Sequence, residues 1–399
     1  MPGLPMSDRA NALTDSLPLK IAAKAKKLIA EGHDIINLTV GEPDFPSPAN
    51  VKRAGINAIE ENFTRYTPAS GIPALRKAVA DDLKKRHNLE YTPEQVVITC
   101  GAKQAIASTL LAVVNPGDEV IVPLPGYASY VDLVRLAGGE PVILETVEEE
   151  GWRVTPNALR AKITDKTVAV ILNQPHNPTG AAWTPEEVEA VGSVLLGKNI
   201  WLIADEIYQT LRYDGRPHRS FAAIEGLYEQ TALIHGVSKE FAMTGWRIGW
   251  LAAPHPLASA VGKVQSQVTG SPNAPAQKAA LQALLDSGPE PDEMNRAFAS
   301  RAALIGDLLA EVEGTHLLRP EGAFYAFVNV ESFLDGREAD GFKLDCSMSL
   351  CEWLLEKQGL AIIPGTAFGR EGYVRFSFAA SEGEIREAVK RFKAALSSL

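Results

Sequence analysis

Cysteine is scarce in this 399-residue chain, which has only Cys100, Cys346 and Cys351. An odd, widely spaced set does not build a disulfide framework. The spacing of Cys346 and Cys351 fits no zinc pattern, and the seven histidines do not cluster near them. Reduced, mostly buried thiols and no metal are therefore expected. Basic charge is also short: 39 Lys and Arg stand against 49 Asp and Glu, a net charge of −10. Such a field repels phosphate backbones and argues against a nucleic-acid partner. An anionic ligand would need a locally positive pocket. No stretch approaches the roughly 18 apolar residues of a membrane span. The start, Met1-Pro2-Gly3-Leu4-Pro5-Met6-Ser7-Asp8, lacks the basic-then-apolar pattern of a secretory signal. The expectation is a cytoplasmic protein with no membrane partner. Repeats and low-complexity tracts are absent as well.

What is present is ordinary globular composition, 46% apolar and 22% charged. The length exceeds one hydrophobic core, so about two or three domains are expected. Short apolar runs alternate with helical periods. Val96–Cys100, Glu119–Pro123, Val168–Leu172, Ile200–Ala204 and Thr231–Gly236 read as buried strands. Helices are expected after Gly101, within Ala128–Ala137, and after Thr184, where Thr184-Pro185-Glu186-Glu187 forms a capping box. Strands alternating with helices predict an α/β fold with a mostly parallel sheet covered on both faces. Beyond about Pro275 the pattern changes to helices near Ala276–Leu285 and Glu293–Glu313. Strands at Ala323–Val328 and Tyr373–Phe378 follow, and Ser381-Glu382-Gly383-Glu384 caps a last helix. The expected division is a large domain over residues 49–285 and a smaller α+β domain built from 1–48 and 286–399.

In open parallel sheets, ligands bind beyond the carboxyl ends of the strands. Asp205 ends one strand, Asn177 follows a second, and Lys239 follows a third. Gly101-Ala102-Lys103 opens a helix after a fourth. Four strand ends thus offer an acid, an amide, an amine and an anion site. Each alone has a bland reading as a cap, a turn or a solvated charge; their coincidence on one rim shifts the odds. Arg375 alternates with Val374 and Phe376, so it faces away from their side of the strand and calls for an anion. Lys103 opposes the helix dipole by roughly 0.3–1 kcal/mol, so something negative is expected near it.

Ser238-Lys239-Glu240-Phe241-Ala242-Met243-Thr244-Gly245-Trp246-Arg247-Ile248-Gly249 resembles the cofactor-lysine signature of class I aminotransferases of fold type I. The resemblance runs in order through further motifs. These are Gly41-Glu42-Pro43-Asp44-Phe45, Arg65-Tyr66 with Gly71-Ile72-Pro73-Ala74-Leu75-Arg76, Asn177-Pro178-Thr179-Gly180, Asp205-Glu206-Ile207-Tyr208, Gly322-Ala323-Phe324-Tyr325 and Val374-Arg375-Phe376-Ser377. It spans about Asn37 to Phe378 and looks most like the prokaryotic aspartate aminotransferases.

The resemblance implies pyridoxal phosphate as cofactor and an active site shared across a homodimer. Lys239 would carry the cofactor aldehyde and then move a proton; a desolvated lysine suits both tasks. Asp205 would hold the proton on the pyridine nitrogen. Tyr208 and Asn177 would bind the ring's phenolic oxygen, and Tyr127 would stack on the ring. Gly101, Ala102, Arg247 and Ser238, with Tyr66 from the neighbouring subunit, would hold the phosphate. Arg375 would clamp the substrate α-carboxylate, which Gly41 and Asn177 also approach. Lys103 would meet the phosphate, a substrate side-chain carboxylate or solvent, and Ser16 belongs with the side-chain reading. Relatives that use prephenate carry a basic residue where this chain has Thr14, which argues against prephenate. The expected reaction is ping-pong amino transfer from an L-amino acid, aspartate or glutamate first, alanine or aromatic donors next. A carbon–sulfur lyase on the same scaffold would share Lys239, Asp205 and Arg375. A non-catalytic regulatory domain is disfavoured, because none of these three is lost.

Overall fold

The computed structural model describes residue 4 and residues 6–399. Its centre is a seven-stranded sheet. The strands are β1 (Val96–Thr99), β2 (Glu119–Leu124), β3 (Glu140–Glu145), β4 (Thr167–Asn173), β5 (Trp201–Asp205), β6 (Thr231–Gly236) and β7 (Gly249–Ala252). They lie in the order β1-β7-β6-β5-β4-β2-β3. All are parallel except β7, which runs antiparallel to β1 and β6. Five of the seven match the apolar runs within a residue or two. β3 and β7 were not anticipated. β3 is a half-buried edge strand, and β7 starts at the last residue of the lysine motif, with a direction set by its neighbours.

Alternate residues of these strands enter two separate cores. Ile98, Ile121, Val170, Leu172, Leu202 and Leu233 belong to one. Val97, Val120, Val122, Ile171, Ile203 and Ile234 belong to the other. Both faces are therefore covered, which is why these strands read as unbroken apolar runs.

A second, four-stranded antiparallel sheet follows in the chain. It comprises β8 (His316–Leu317), β9 (Tyr325–Asn329), β10 (Ile363–Pro364) and β11 (Tyr373–Ser377), in the order β10-β11-β9-β8. Helices Glu290–Ala310, Ser347–Gln358 and Glu382–Ser397 contribute Phe298, Trp353 and Phe392 to its core. The first of these begins three residues earlier than expected, because Pro291 fits its first turn. The N-terminal segment joins this layer: Ile36–Asn37 pairs in parallel with Leu360–Ala361, and Ser377 N–H donates to Leu38 O at 2.9 Å. No helix among the described residues is long and apolar enough to cross a membrane.

The capping box at Ser381 is formed. Glu384 N–H donates to Ser381 Oγ at 3.2 Å, and Ser381 N–H donates to Glu384 Oε2 at 2.9 Å. Ser381→Ala should lower the unfolding free energy by about 1 kcal/mol. Urea denaturation would read this as an earlier midpoint at unchanged slope; an unmoved midpoint would show that the cap contributes nothing.

Candidate active site

Parallel topology brings the carboxyl ends of β1, β4, β5 and β6 to one rim, and that rim carries the chemistry. Asp205 is the last residue of β5 and is buried. Its Oδ2 accepts from Tyr130 Oη at 2.6 Å and its Oδ1 from Ile207 N–H at 3.2 Å. Burial pushes this carboxyl above its ordinary range, against the pull of those two donors. No Lys or Arg pairs with it among the described residues. A buried carboxylate in that position wants a cationic partner.

Lys239 lies in the single turn Val237–Glu240 after β6. Its Nζ donates to Gly41 O at 2.6 Å and stands 5.8 Å from the centre of the Phe324 ring. Desolvation pushes its pKa down to about 8. Glu42 and Asp205 oppose that fall, while Arg247 and Arg375 reinforce it. A lysine so placed is half free amine near pH 8 rather than above pH 10.

The turn after β4 holds the expected amide. Asn173 Oδ1 accepts Asn177 N–H at 3.0 Å, while Asn173 Nδ2 donates to Asp205 O at 2.8 Å. One side chain thus ties the Asn177 turn to the Asp205 strand. The Asn177–Pro178 bond is cis. His176 next to it bonds Thr179 Oγ1 at 2.7 Å, and burial drops its pKa to about 4. It is neutral, so it adds no charge to the rim.

Arg375 comes from the other sheet, on β11, and is buried. It donates to Asn177 Oδ1 at 3.0 Å and to Thr39 O at 3.0 Å, while its Nε has no partner. Its guanidinium lies 4.2 Å from the Tyr325 ring centre and 4.6 Å from that of Phe368. Desolvation lowers its pKa. No carboxylate pairs with it among the described residues. A guanidinium buried with neutral acceptors and aromatic faces is built for an incoming anion.

Arg247 closes the site from the β6–β7 connection. It is exposed and donates to Thr244 O at 3.0 Å and Cys100 O at 3.3 Å. It too has no carboxylate partner among the described residues. It lies against Gly101, which has φ +85°; a Cβ there would stand 2.4 Å from an Arg247 nitrogen. Gly101 precedes helix Ala102–Val113, whose first N–H groups are free to bind an anion. The glycines below fit as tightly. A Cβ on Gly249 would stand 2.5 Å from Ala102 N, and one on Gly236 would stand 2.7 Å from Gly249 Cα.

The remaining expected residues are less uniform. Tyr208 is buried, and its hydroxyl lies 3.0 Å from that of Tyr325. Tyr127 is half-buried, edge-on to Tyr130, with Lys103 Nζ 5.4 Å from its ring centre. Lys103 is exposed and has no acidic partner among the described residues. Ser238 is buried beside Lys239. Ser16 is exposed at the start of helix Leu17–Ala30. Tyr66 is 100% exposed and does not join the site of its own chain. Thr14 donates to Asp132 at 2.7 Å. Three supporting groups went unread in the sequence: Tyr130, Asn173 and the Thr39 carbonyl. Tyr130 had one signal, its position one helical turn after Tyr127.

Residues 33–392 match the family model for aminotransferase class I and II. The chain is 40% identical to the aspartate aminotransferase of Bacillus subtilis, over 97% of this chain and 98% of that one. It is 41% identical to the aspartate/prephenate aminotransferase of Cereibacter sphaeroides, over 98% of each. The aspartate aminotransferase of Thermus thermophilus, solved with maleate, superposes with a TM-score of 0.92 at 38% identity, covering 98% of this chain and 100% of that chain. This family and its named members imply pyridoxal phosphate. The residues fit such a group: a buried carboxylate without a cation, a depressed lysine and an arginine over a bare helix start meet on one rim. The chain belongs to the class I and II aminotransferase family and is a transaminase.

Proposed function

We propose that the donors of this transaminase are L-aspartate and L-glutamate, the acceptor is a 2-oxo acid such as 2-oxoglutarate, and the cofactor is pyridoxal phosphate held at Lys239. One observation carries the reading. Lys239, Arg247 and Arg375 have no acidic partner among the described residues, although all three act on one electrostatic environment.

When bound, the cofactor supplies an aldehyde to take up the amino group and a protonated ring to draw electrons from the substrate Cα. Lys239 would hold the cofactor, and its free amine would be the base that moves a proton at the substrate Cα. Asp205 would be the counter-charge that favours a protonated ring nitrogen, with Tyr130 and the Ile207 amide fixing its orientation. Tyr208 and the Asn177 NH2 group would donate to the ring's phenolic oxygen, while Asn177 Oδ1 accepts from Arg375. Arg247, the Ala102 amide and Ser238 would hold the phosphate and Tyr127 would face the ring; the Gly101 N–H, expected to join them, already donates to Thr99 O at 2.8 Å, so Gly101 would serve only by leaving room. Arg375 binds the α-carboxylate through its fork, with Gly41 backing it. Lys103 and Ser16 meet the side-chain carboxylate; their exposure makes that contact weaker than the buried one.

We also propose residues 49–285 as the cofactor domain and 1–48 with 286–399 as the smaller domain. The fully exposed Tyr66 supports a homodimer in which it reaches the partner's phosphate site. Thr14, engaged with Asp132, offers no cation for prephenate.

The half-reaction tests the substrate. Aspartate alone, added to the coloured protein, should bleach the visible band as the amine form accumulates, and 2-oxoglutarate should restore it. Across a panel of donors, aspartate and glutamate are expected among the fastest. Inertness to both, with rapid bleaching by aromatic donors, would refute the acidic-substrate reading.

A further inference from the structure

Tyr325 lies in the Gly322–Tyr325 motif but has no role in the scheme above. It is 1% exposed, at the start of β9. Its hydroxyl is 3.0 Å from the Tyr208 hydroxyl. Its ring lies 4.2 Å from the Arg375 guanidinium. The same hydroxyl crowds Gly41, where a Cβ would stand 3.2 Å from it, and Gly41 O is the acceptor for Lys239 Nζ. One buried side chain therefore touches the ring-oxygen donor, the carboxylate clamp and the backbone that seats the lysine.

We propose that Tyr325 is a positioning residue that donates its proton to Tyr208 and so directs the Tyr208 proton toward the cofactor's phenolic oxygen, coupling that bond to the charge state around Arg375. The inference deepens the cofactor reading above and rests on it. The two hydroxyls can share only one proton between them. If Tyr208 donated to Tyr325, its own proton would be lost to the ring oxygen. Arg375 lies against the Tyr325 ring and acts on both hydroxyls, but more strongly on Tyr325, which favours Tyr325 as the donor of the pair. Arg375 is the charged group packed on the Tyr325 ring, from the neighbouring strand β11. Tyr127 and Tyr208 are the other titratable groups acting on it, and Asp205 acts in turn on Tyr208. A donor into the Tyr208 oxygen also polarises the outgoing O–H bond. A substrate carboxylate on Arg375 would neutralise the cation and relax the chain, so substrate binding would be felt at the ring oxygen.

Tyr325→Phe keeps the ring on Arg375 and removes only the hydroxyl. The readout is the pH midpoint of the colour change of protein-bound pyridoxal phosphate, compared with Tyr208→Phe and the double variant. Tyr208→Phe should raise that midpoint, because the ring oxygen loses its donor. Tyr325→Phe should raise it in the same direction by a smaller amount, about half a pH unit, a threefold change in the proton equilibrium. The double variant should match Tyr208→Phe alone. An unmoved midpoint in Tyr325→Phe, or a shift that adds fully to that of Tyr208→Phe, would overturn the proposal. Failure of the unaltered protein to take up the cofactor would instead refute the cofactor reading, so the two failures are distinguishable. A thermal melt of each variant separates loss of fold from loss of coupling.

Discussion

Lys239→Ala should reduce amino transfer by about 10^4-fold or more, because, as proposed, one nitrogen would perform both covalent capture and proton movement. The variant should still bind pyridoxal phosphate through Arg247 and the helix start, yet without the absorbance of the covalently held form. The unaltered apoprotein carries the companion prediction. Lys239 has a pKa lowered from 10.5 to about 8 by desolvation. Below that value the amine is mostly protonated and unreactive, and above it mostly free. The rate of aldehyde capture should therefore climb about tenfold per pH unit up to about pH 8 and then level off. An ordinary lysine would keep climbing to above pH 10. Stopped-flow absorbance on mixing apoprotein with pyridoxal phosphate across that range makes the measurement. A rate that still rises steeply at pH 9.5 would refute the depressed amine, and substantial turnover in Lys239→Ala would refute its central role.

Arg375→Met should separate function from stability. The substituted side chain keeps much of the arginine stem's volume but loses the fork. A bound α-carboxylate then sits in a buried site with no countercharge, which costs about 3–5 kcal/mol, or roughly 10^2- to 10^3.5-fold in kcat/KM. The carboxylate is held before and during the reaction, so most of the loss should appear in KM. The apoprotein should respond in the opposite sense. Arg375 is buried without an acidic partner among the described residues, and desolvation already lowers its pKa. Removing an unpaired buried cation relieves that cost, so the apo melting temperature should hold or rise. Arg375→Lys retains the charge but not the two parallel bonds, and should recover only part of the loss. Calorimetry on the apoprotein with steady-state kinetics on the holoenzyme gives both halves. A melting temperature several degrees lower, with KM near that of the unaltered enzyme, would make Arg375 a structural residue.

The central sheet was largely legible because both its faces are buried. Ile200–Ala204 is apolar throughout and Thr231–Gly236 largely so for that reason, and the structure places strands at Trp201–Asp205 and Thr231–Gly236. β3 escaped because Glu140–Glu145 lies at an edge and mixes exposed with half-buried positions. β7 escaped because Gly249–Ala252 is short, and its antiparallel direction comes from pairing with β1 and β6 rather than from any local pattern. Charged site residues stood out where burial made them anomalous, as with Asp205 and Arg375. Their supports did not. Tyr130 reads as an ordinary helical aromatic, and a backbone carbonyl such as that of Thr39 leaves no trace in a sequence. Lys103 was legible as a misplaced charge, but the structure offers it only an aromatic face among the described residues.

The stacked glycines have a consequence for redesign. Gly236, Gly249 and Gly101 bring three stretches of main chain within bare contact of one another. The amine and the anion cradle are consequently welded into one block, and neither can drift without dragging the other. Attempts to widen this enzyme for bulkier donors should therefore leave that floor untouched.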